Sequence, residues 1–379
     1  MDFDFTDDQE SLRDAVSRWV DKGFAFSRRH ALAKAGGASR EVYAELAELG
    51  LAGLAVPESH GGLGQGAIDA MVVCEELGRG LVNAPYIHAA LMTPVLMAAA
   101  PSALQSECLP FVASGESLIV PALQERGARY RLTHVVTRAQ RTSTGTGAGW
   151  TIDGTKVAVP AADEADAFIV PARVSGAEQD SAGIALFLVR AADTRVNAYP
   201  TQDGARAGDV VMAAAPATLI CEEGHSVLET AVDVGIAAHC AEAVGLMDRL
   251  VAITVDYMNT RKQFGTTIAS FQALRHRMAD VKMQLELGRS MSYYASLKLG
   301  EAAPQRRRAI SQARVQLGHS MRMVGQQCIQ LHGGIGCTDE YIASHYFKRL
   351  TMLEVTLGDT LHHLGEVSAR MQDTAGVFA

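Results

Sequence analysis

The spacing of apolar and polar residues changes period twice along the chain, and the changes divide it into three regions. Thr6-Asp7-Asp8-Gln9 has the form of a helical capping box, and Leu12, Val16, Trp19 and Val20 follow at helical spacing. The same period runs over residues 41–49 and stops at Gly50. A glycine loop, His60-Gly61-Gly62-Leu63-Gly64, precedes a helix expected over 67–77, and an apolar run predicts a helix over 87–100, ending before Pro101. Near Ser117 the period drops to two. Strands are expected at Leu118-Ile119-Val120, Trp150-Thr151-Ile152, 156–159, 167–170 and 184–189, with Asp153-Gly154 as a hairpin turn between the second and third. The Ser143-Thr144-Gly145-Thr146-Gly147-Ala148-Gly149 tract reads as a flexible loop, because no P-loop lysine follows it. Strand character ends near Ile220. From Ser226 to Arg370 the helical period returns, with long segments at 227–259, 271–299 and 309–331 that suggest an antiparallel bundle. The expected fold is α+β, mainly α: an N-terminal helical domain (1–117), a middle β-barrel-like domain (118–222) and a C-terminal four-helix bundle (223–379).

Composition narrows the function classes. With 379 residues, 48% of them hydrophobic, the chain can bury cores for two or three domains. Its formal charge of −8 and scattered Lys and Arg argue against nucleic acid as a partner. The tightest basic run, Arg306-Arg307-Arg308, reads as a solvated helix end. Cys74, Cys108, Cys221, Cys240, Cys328 and Cys337 lie far apart, as free thiols of a reducing compartment do, and His362-His363 reads as surface with no metal spacing. Met1-Asp2-Phe3-Asp4 starts no apolar signal segment and no run approaches the ~18 apolar residues of a membrane span, so a cytoplasmic protein is expected.

Two stretches bear chemistry. Gln330-Leu331-His332-Gly333-Gly334 puts paired glycines after a helix, where backbone can approach a nucleotide with no Cβ in the way. Thr260-Arg261-Lys262-Gln263-Phe264-Gly265 offers a planar cation suited to a pyrophosphate. Together, in this order, they resemble the flavin-binding signature of the acyl-CoA dehydrogenase family. The resemblance covers the whole chain, including Trp150 to Lys156, which looks like the family's hairpin beside the flavin. The words Cys240 to Asp248, Phe271-Gln272, His345 to Leu350, Tyr199 to Gly204 and Gly358-Asp359-Thr360 are most similar to the small subunits of pimeloyl-CoA dehydrogenases.

The resemblance implies FAD as cofactor, held by Arg261, Phe264, Gln272, Gln330, Gly333 and Gly334 at a subunit boundary. It also implies α,β-dehydrogenation of an acyl-CoA, a dicarboxylyl-CoA such as pimeloyl-CoA in that branch, as in fatty acid β-oxidation. A carboxylate takes the α-proton while the β-hydrogen leaves as hydride. The implied partners are an electron-transfer flavoprotein as acceptor and either further copies or a large subunit, in a tetramer.

The expected base is missing. Twenty-three residues after Gly334, where most of the family has the Glu of a Tyr-Glu-Gly-Thr word, stands Leu357; the alternative family site on the first bundle helix maps to Gly235. Glu242 lies seven residues past Gly235, about 20° off the same helix face and about 10 Å further along. Its apolar neighbours would raise its pKa, so it is either the base or a structural acid paired with an Arg or His. Asp359 is either a second candidate base or an N-cap, and Glu354 is expected to face solvent. Pro160 stands in place of the family's Trp-Ile-Thr word and offers the flavin no donor. A catalytically silent subunit completing a partner's FAD site is thus a second reading, and a flavin monooxygenase or nitroalkane oxidase on the same fold a third.

Overall fold

The computed structural model describes residues 5–37, 40–142 and 149–371. Six helices come first: α1 (Asp7–Gly23), α2 (Phe26–Lys34), α3 (Arg40–Glu48), α4 (Ala67–Arg79), α5 (Thr93–Met97) and α6 (Ser102–Ala113). Seven strands follow: β1 (Ile119–Pro121), β2 (Arg138–Thr142), β3 (Gly149–Pro160), β4 (Ala167–Arg173), β5 (Ile184–Arg190), β6 (Arg195–Pro200) and β7 (Arg206–Cys221). The last third comprises α7 (Gly224–Thr260), the β8 (Lys262–Gln263) and β9 (Thr266–Thr267) hairpin, α8 (Gln272–Lys298), α9 (Ala303–His332), α10 (Ile342–Val355) and α11 (Thr360–Ala369). This is a fold with helical N- and C-terminal segments and a β domain between them in the chain. Contacts group the chain into two compact units, one of residues 1–31, 67–82 and 236–379, the other of 32–66 and 83–235.

In the second unit the strands run in the order β1-β4-β2-β3-β7-β5, and β5 also pairs with β4, which closes the sheet into a barrel-like ring; β6 lies against β7. Closure leaves few exposed edges. The core is filled by inward residues such as Ile152, Phe168, Val170, Phe187, Val189, Val210 and Met212, with Tyr43 and Ala89 from the helical segments. No turn forms at Asp153-Gly154, contrary to the pattern. β3 runs straight through, with a register shift against β7 between Ile152 and Gly154. Asp153 Oδ1 accepts the Ala214 N–H at 2.8 Å, and a Cβ on Gly154 would sit 2.5 Å from Thr137 Oγ1. The glycine serves close approach at a bulge, not a hairpin. The expected helix over 87–100 is also modified: Ile87–Met92 is a π-helical turn leading into α5. Pro94 lacks the N–H an α-helix needs there, while the Thr93 N–H reaches the His88 carbonyl five residues back.

In the first unit the capping box at Thr6 forms in both directions, through Gln9 N–H at 3.3 Å and Gln9 Oε1 at 3.1 Å. Helix α9 packs against α8, α10 and α11. Helices α4 and α7 cross at two glycines, since a Cβ on Gly78 would overlap the Glu242 carbonyl and one on Gly245 the Glu75 carbonyl. Arg306 and His363, both expected at the surface, are buried, because the faces of α9 and α11 that bear them pack within the bundle. All six cysteines are free thiols. Among the described residues no helix is long and apolar enough to cross a membrane. Residues 1–4 and 143–148, on which the N-terminal and Ser/Thr/Gly-loop expectations rest, lie outside the described residues.

Candidate functional site

At one end of the helical unit the last turn of α7, the β8–β9 hairpin, the start of α8 and the end of α9 meet over a small apolar cluster. Met258, Ile268 and Leu331 are its buried members, with Tyr257, Phe271, Leu274 and Met278 packed around them. This cluster fixes the hairpin. The Arg261 N–H donates to Tyr257 O at 2.8 Å, and its carbonyl accepts the Ile268 N–H at 2.9 Å. At the tip, Phe264 and Gly265 both have left-handed φ, +52° and +80°. Phe264 is 93% exposed, with Phe271 edge-on to it at 6.2 Å. Arg261, Gln272 and Gln330 are exposed too, and among the described residues the Arg261 guanidinium has no partner.

Helix α9 stops where Gly333 takes φ +65°, its N–H turning back to the Gln330 and Ile329 carbonyls. A Cβ built on Gly333 or Gly334 meets nothing within 4 Å. Packing within the chain does not require a glycine at 334, so the open backbone there is available to a molecule arriving from outside. An exposed guanidinium, two amides and an unobstructed diglycine fit the adenine–pyrophosphate half of FAD. Pro160 belongs to the other unit. It ends β3 paired with Ala207, after a bulge in which Ala158 has φ +53°, and it brings no N–H.

The three carboxylates singled out in the sequence, Glu242, Asp359 and Glu354, are all engaged. Glu242 is buried, accepting from Arg349 Nε at 2.6 Å and facing His239 Nδ1 at 3.1 Å. Burial alone would raise its pKa, but the Arg349 charge, followed by the His239 hydrogen bond, outweighs burial and brings it down to about 2. The shift therefore runs opposite to the one its apolar sequence neighbours implied, because Arg349 arrives from α10. Burial pushes His239 down, which keeps it neutral. Asp359 is the N-cap of α11, its Oδ1 accepting the His362 N–H at 2.8 Å. Glu354 does not face solvent; its Oε1 accepts from Thr360 N at 3.2 Å, Thr360 Oγ1 at 2.5 Å and Arg322 at 3.3 Å.

Leu357 has a left-handed φ of +57° in the loop between α10 and α11. Arg314, 1% exposed, holds that loop by donating to the carbonyls of Leu353, Thr356 (3.2 Å) and Gly358 (3.2 Å), while His363 Nε2 lies 3.3 Å from the Leu357 carbonyl. A non-glycine residue in this conformation costs about 1–2 kcal/mol, and the anchors below sustain it.

Two features had no sequence signal beyond isolated charges. In the β unit, fully buried Lys156 donates to Glu125 Oε1 at 2.6 Å, and Glu125 also accepts the N–H groups of Val136 and Thr137. Glu125, Arg126, Thr137, Thr155, Asn197 and Asp209 are among the residues lining a cavity of about 420 Å³. In the helical unit, His30, Asp339 and His345 bring ligand-type atoms within 4.8 Å of one another. Arg29 donates to His345 Nδ1 at 2.6 Å, so the ring proton sits on Nε2, which donates to the Asp339 carbonyl at 2.8 Å. Lys348 lies 3.1 Å from Asp339 Oδ1. A metal-bound histidine donates through its second nitrogen, which this one cannot do, so the cluster is an ion-pair lock.

Family models described as "Acyl-CoA dehydrogenase, N-terminal domain" and "Acyl-CoA dehydrogenase, C-terminal domain" match residues 6–116 and 222–372. Acyl-CoA dehydrogenase FadE27 of Mycobacterium tuberculosis is 27% identical over 99% of this chain and 100% of its own. A chain in the crystal structure of the ChsE4–ChsE5 complex from the same organism superposes with a TM-score of 0.86 at 27% identity, over 99% of this chain and 100% of that one. A chain of a Tcur3481–Tcur3483 steroid ACAD variant gives 0.84 at 26%, over 97% and 99%.

Proposed function

The chain belongs to the acyl-CoA dehydrogenase family, whose members are flavin-dependent oxidoreductases, and from that premise we propose that it is the base-lacking subunit of a heteromeric FAD enzyme. In this reading the chain completes the flavin site of a sister subunit. One contrast supports it: the positions that would face a nucleotide are open, whereas every position that would supply a base is filled or engaged. Leucine and glycine stand at 357 and 235, Asp359 caps a helix, and Glu242, held near 2 by Arg349, is a poor acceptor for an α-proton. The ChsE4–ChsE5 relative, a complex of two differently named chains, agrees with such an assembly.

Arg261 would neutralise the pyrophosphate, Gln272 and Gln330 would hydrogen-bond the nucleotide, and Gly333-Gly334 would admit it against backbone. FAD, when bound, supplies the acceptor for the substrate's β-hydrogen. The remaining electron carrier in this reading is an electron-transfer flavoprotein. The acyl-CoA bears either a dicarboxylic chain, as the motif likeness to pimeloyl-CoA dehydrogenases suggests, or a steroid-derived group, as in the Tcur3481–Tcur3483 relative.

Expression alone and together with a base-bearing family member of the same organism tests the reading. The chain alone should be colourless near 450 nm, and the pair should form a yellow heterotetramer bleached anaerobically by pimeloyl-CoA or a steroid-side-chain CoA ester. A yellow, acyl-CoA-bleachable protein from this chain alone would overturn it.

A further inference from the structure

Helix α2 meets α10 and the segment before it through one face. Phe26, Arg29 and His30 stand at i, i+3 and i+4 and lie against Asp339 and His345. Phe26 stacks on His30 with ring centroids 5.4 Å apart and meets His345 edge-on at 5.1 Å. Arg29 is the one buried residue of α2, and His345 is buried too. Their contact is therefore the centre of the joint.

Each hydrogen bond of His345 can run in only one direction. Arg29 has no acceptor, so Nδ1 must be bare where it receives the guanidinium at 2.6 Å. A carbonyl has no donor, so Nε2 must bear the proton that reaches Asp339 O at 2.8 Å. Only the neutral imidazole with its proton on Nε2 satisfies both. A proton added at Nδ1 sets two donors face to face and places a second cation beside a buried guanidinium. Among the described residues of the helical unit, the charged and titratable groups facing His345 are Arg29, His30, Asp339 and Lys348. Asp339, the acid among them, lies 3.6 Å from Nε2 and already meets His30 at 2.9 Å and Lys348 at 3.1 Å. Burial above all, with the Arg29 and Lys348 charges, holds this imidazole below the usual histidine range.

We infer that the Arg29–His345 contact is an acid-released latch, which holds α2 on α10 while the imidazole is neutral and lets α2 go when Nδ1 takes a proton. The chain leaves the first compact unit after Ala31, inside α2, so acid frees the helix through which it leaves. Acid acts through linkage. The open state takes a proton with ordinary histidine affinity and the latched state resists it. The latch is therefore complete above about pH 6.5 and is lost as pH falls below that value, the opening constant rising by up to about tenfold per pH unit for the single proton.

Hydrogen–deuterium exchange of the full chain between pH 8 and pH 5 tests this, read as protection factors so that the intrinsic pH dependence of exchange is removed. Protection of the α2 amides should be level above about pH 6.5 and fall by up to about tenfold per unit below it. His345→Gln offers Arg29 an amide oxygen and Asp339 an amide N–H but takes up no proton, so its α2 should stay protected to pH 5. Arg29→Gln can turn its own oxygen towards a protonated imidazole; it should flatten the slope as well, and it serves if the first variant does not fold. His30→Gln should keep the slope. His239, His332 and His363 are also held low by burial, so a fall shared equally by the α9 amides reports loosening of the whole unit and overturns the latch. A slope that survives His345→Gln, or wild-type α2 amides with unchanged protection at pH 5, overturns it too.

Discussion

Glu242→Gln separates a structural acid from a catalytic one, because the two roles predict opposite losses. The wild-type carboxylate is buried, 2.6 Å from Arg349 Nε and 3.1 Å from His239 Nδ1. Its pKa falls from 4.5 to about 2 on folding. At about 1.4 kcal/mol per pH unit, this corresponds to about 3 kcal/mol of stability at neutral pH. Glutamine keeps one acceptor for Arg349 but strands its charge, and breaking a buried pair from one side costs about 3–5 kcal/mol. With an unfolding entropy of about 2 cal/mol/K per residue, 3 kcal/mol lowers the thermal midpoint by about 4 °C. The sign with pH follows from the depressed pKa. The contribution is complete above about 4.5 and is lost as pH falls towards 2, so the gap between wild type and variant should close over that window. Scanning fluorimetry from pH 3 to pH 8 reads it, as the wild-type midpoint falls towards the variant's at the acid end. Anaerobic flavin bleaching by acyl-CoA in the assembled enzyme should proceed at the wild-type rate per flavin. An unchanged midpoint together with bleaching slowed by about 10²–10⁴-fold would refute the structural assignment and make Glu242 the base.

Gly334→Ala meets no atom within 4 Å, so its stability should stay within about 0.5 kcal/mol of wild type while ADP and flavin affinity fall; unchanged nucleotide affinity would move the site elsewhere. Phe264→Asn suits the left-handed first position of the hairpin turn and removes an almost fully exposed ring. It should leave the isolated chain as stable or slightly more so, yet weaken flavin retention and co-purification with the sister subunit; intact assembly by light scattering would count against an intermolecular role for Phe264.

Local patterns were sufficient wherever the determining contact lies within a few residues. The capping box at Thr6 and Gln9, the stop of α3 before Gly50, the long helices of the last third and the end of strand character near residue 220 were all legible in this way. Each is set by backbone hydrogen bonds and side-chain faces with a period of 3.6 or 2. The Arg261–Gly265 and Gln330–Gly334 words were also visible, and Arg261, Phe264, Gln330, Gly333 and Gly334, which are exposed, owe little to packing. Asp153-Gly154 misled because its glycine answers to Thr137, the residue just before β2, which no hairpin rule contains. The pKa of Glu242 was misjudged in direction for a similar reason: its sequence neighbours are apolar, but the charge that governs it comes from Arg349, 107 residues away. The Glu125–Lys156 pair and the Arg314 hold on the Leu357 loop depend on the same kind of meeting. Periodicity determines which backbone forms and which face is apolar. Which charges come within 3 Å of each other is decided only when distant segments pack, because Coulomb attraction in a dry interior depends on separation in space and not on separation along the chain.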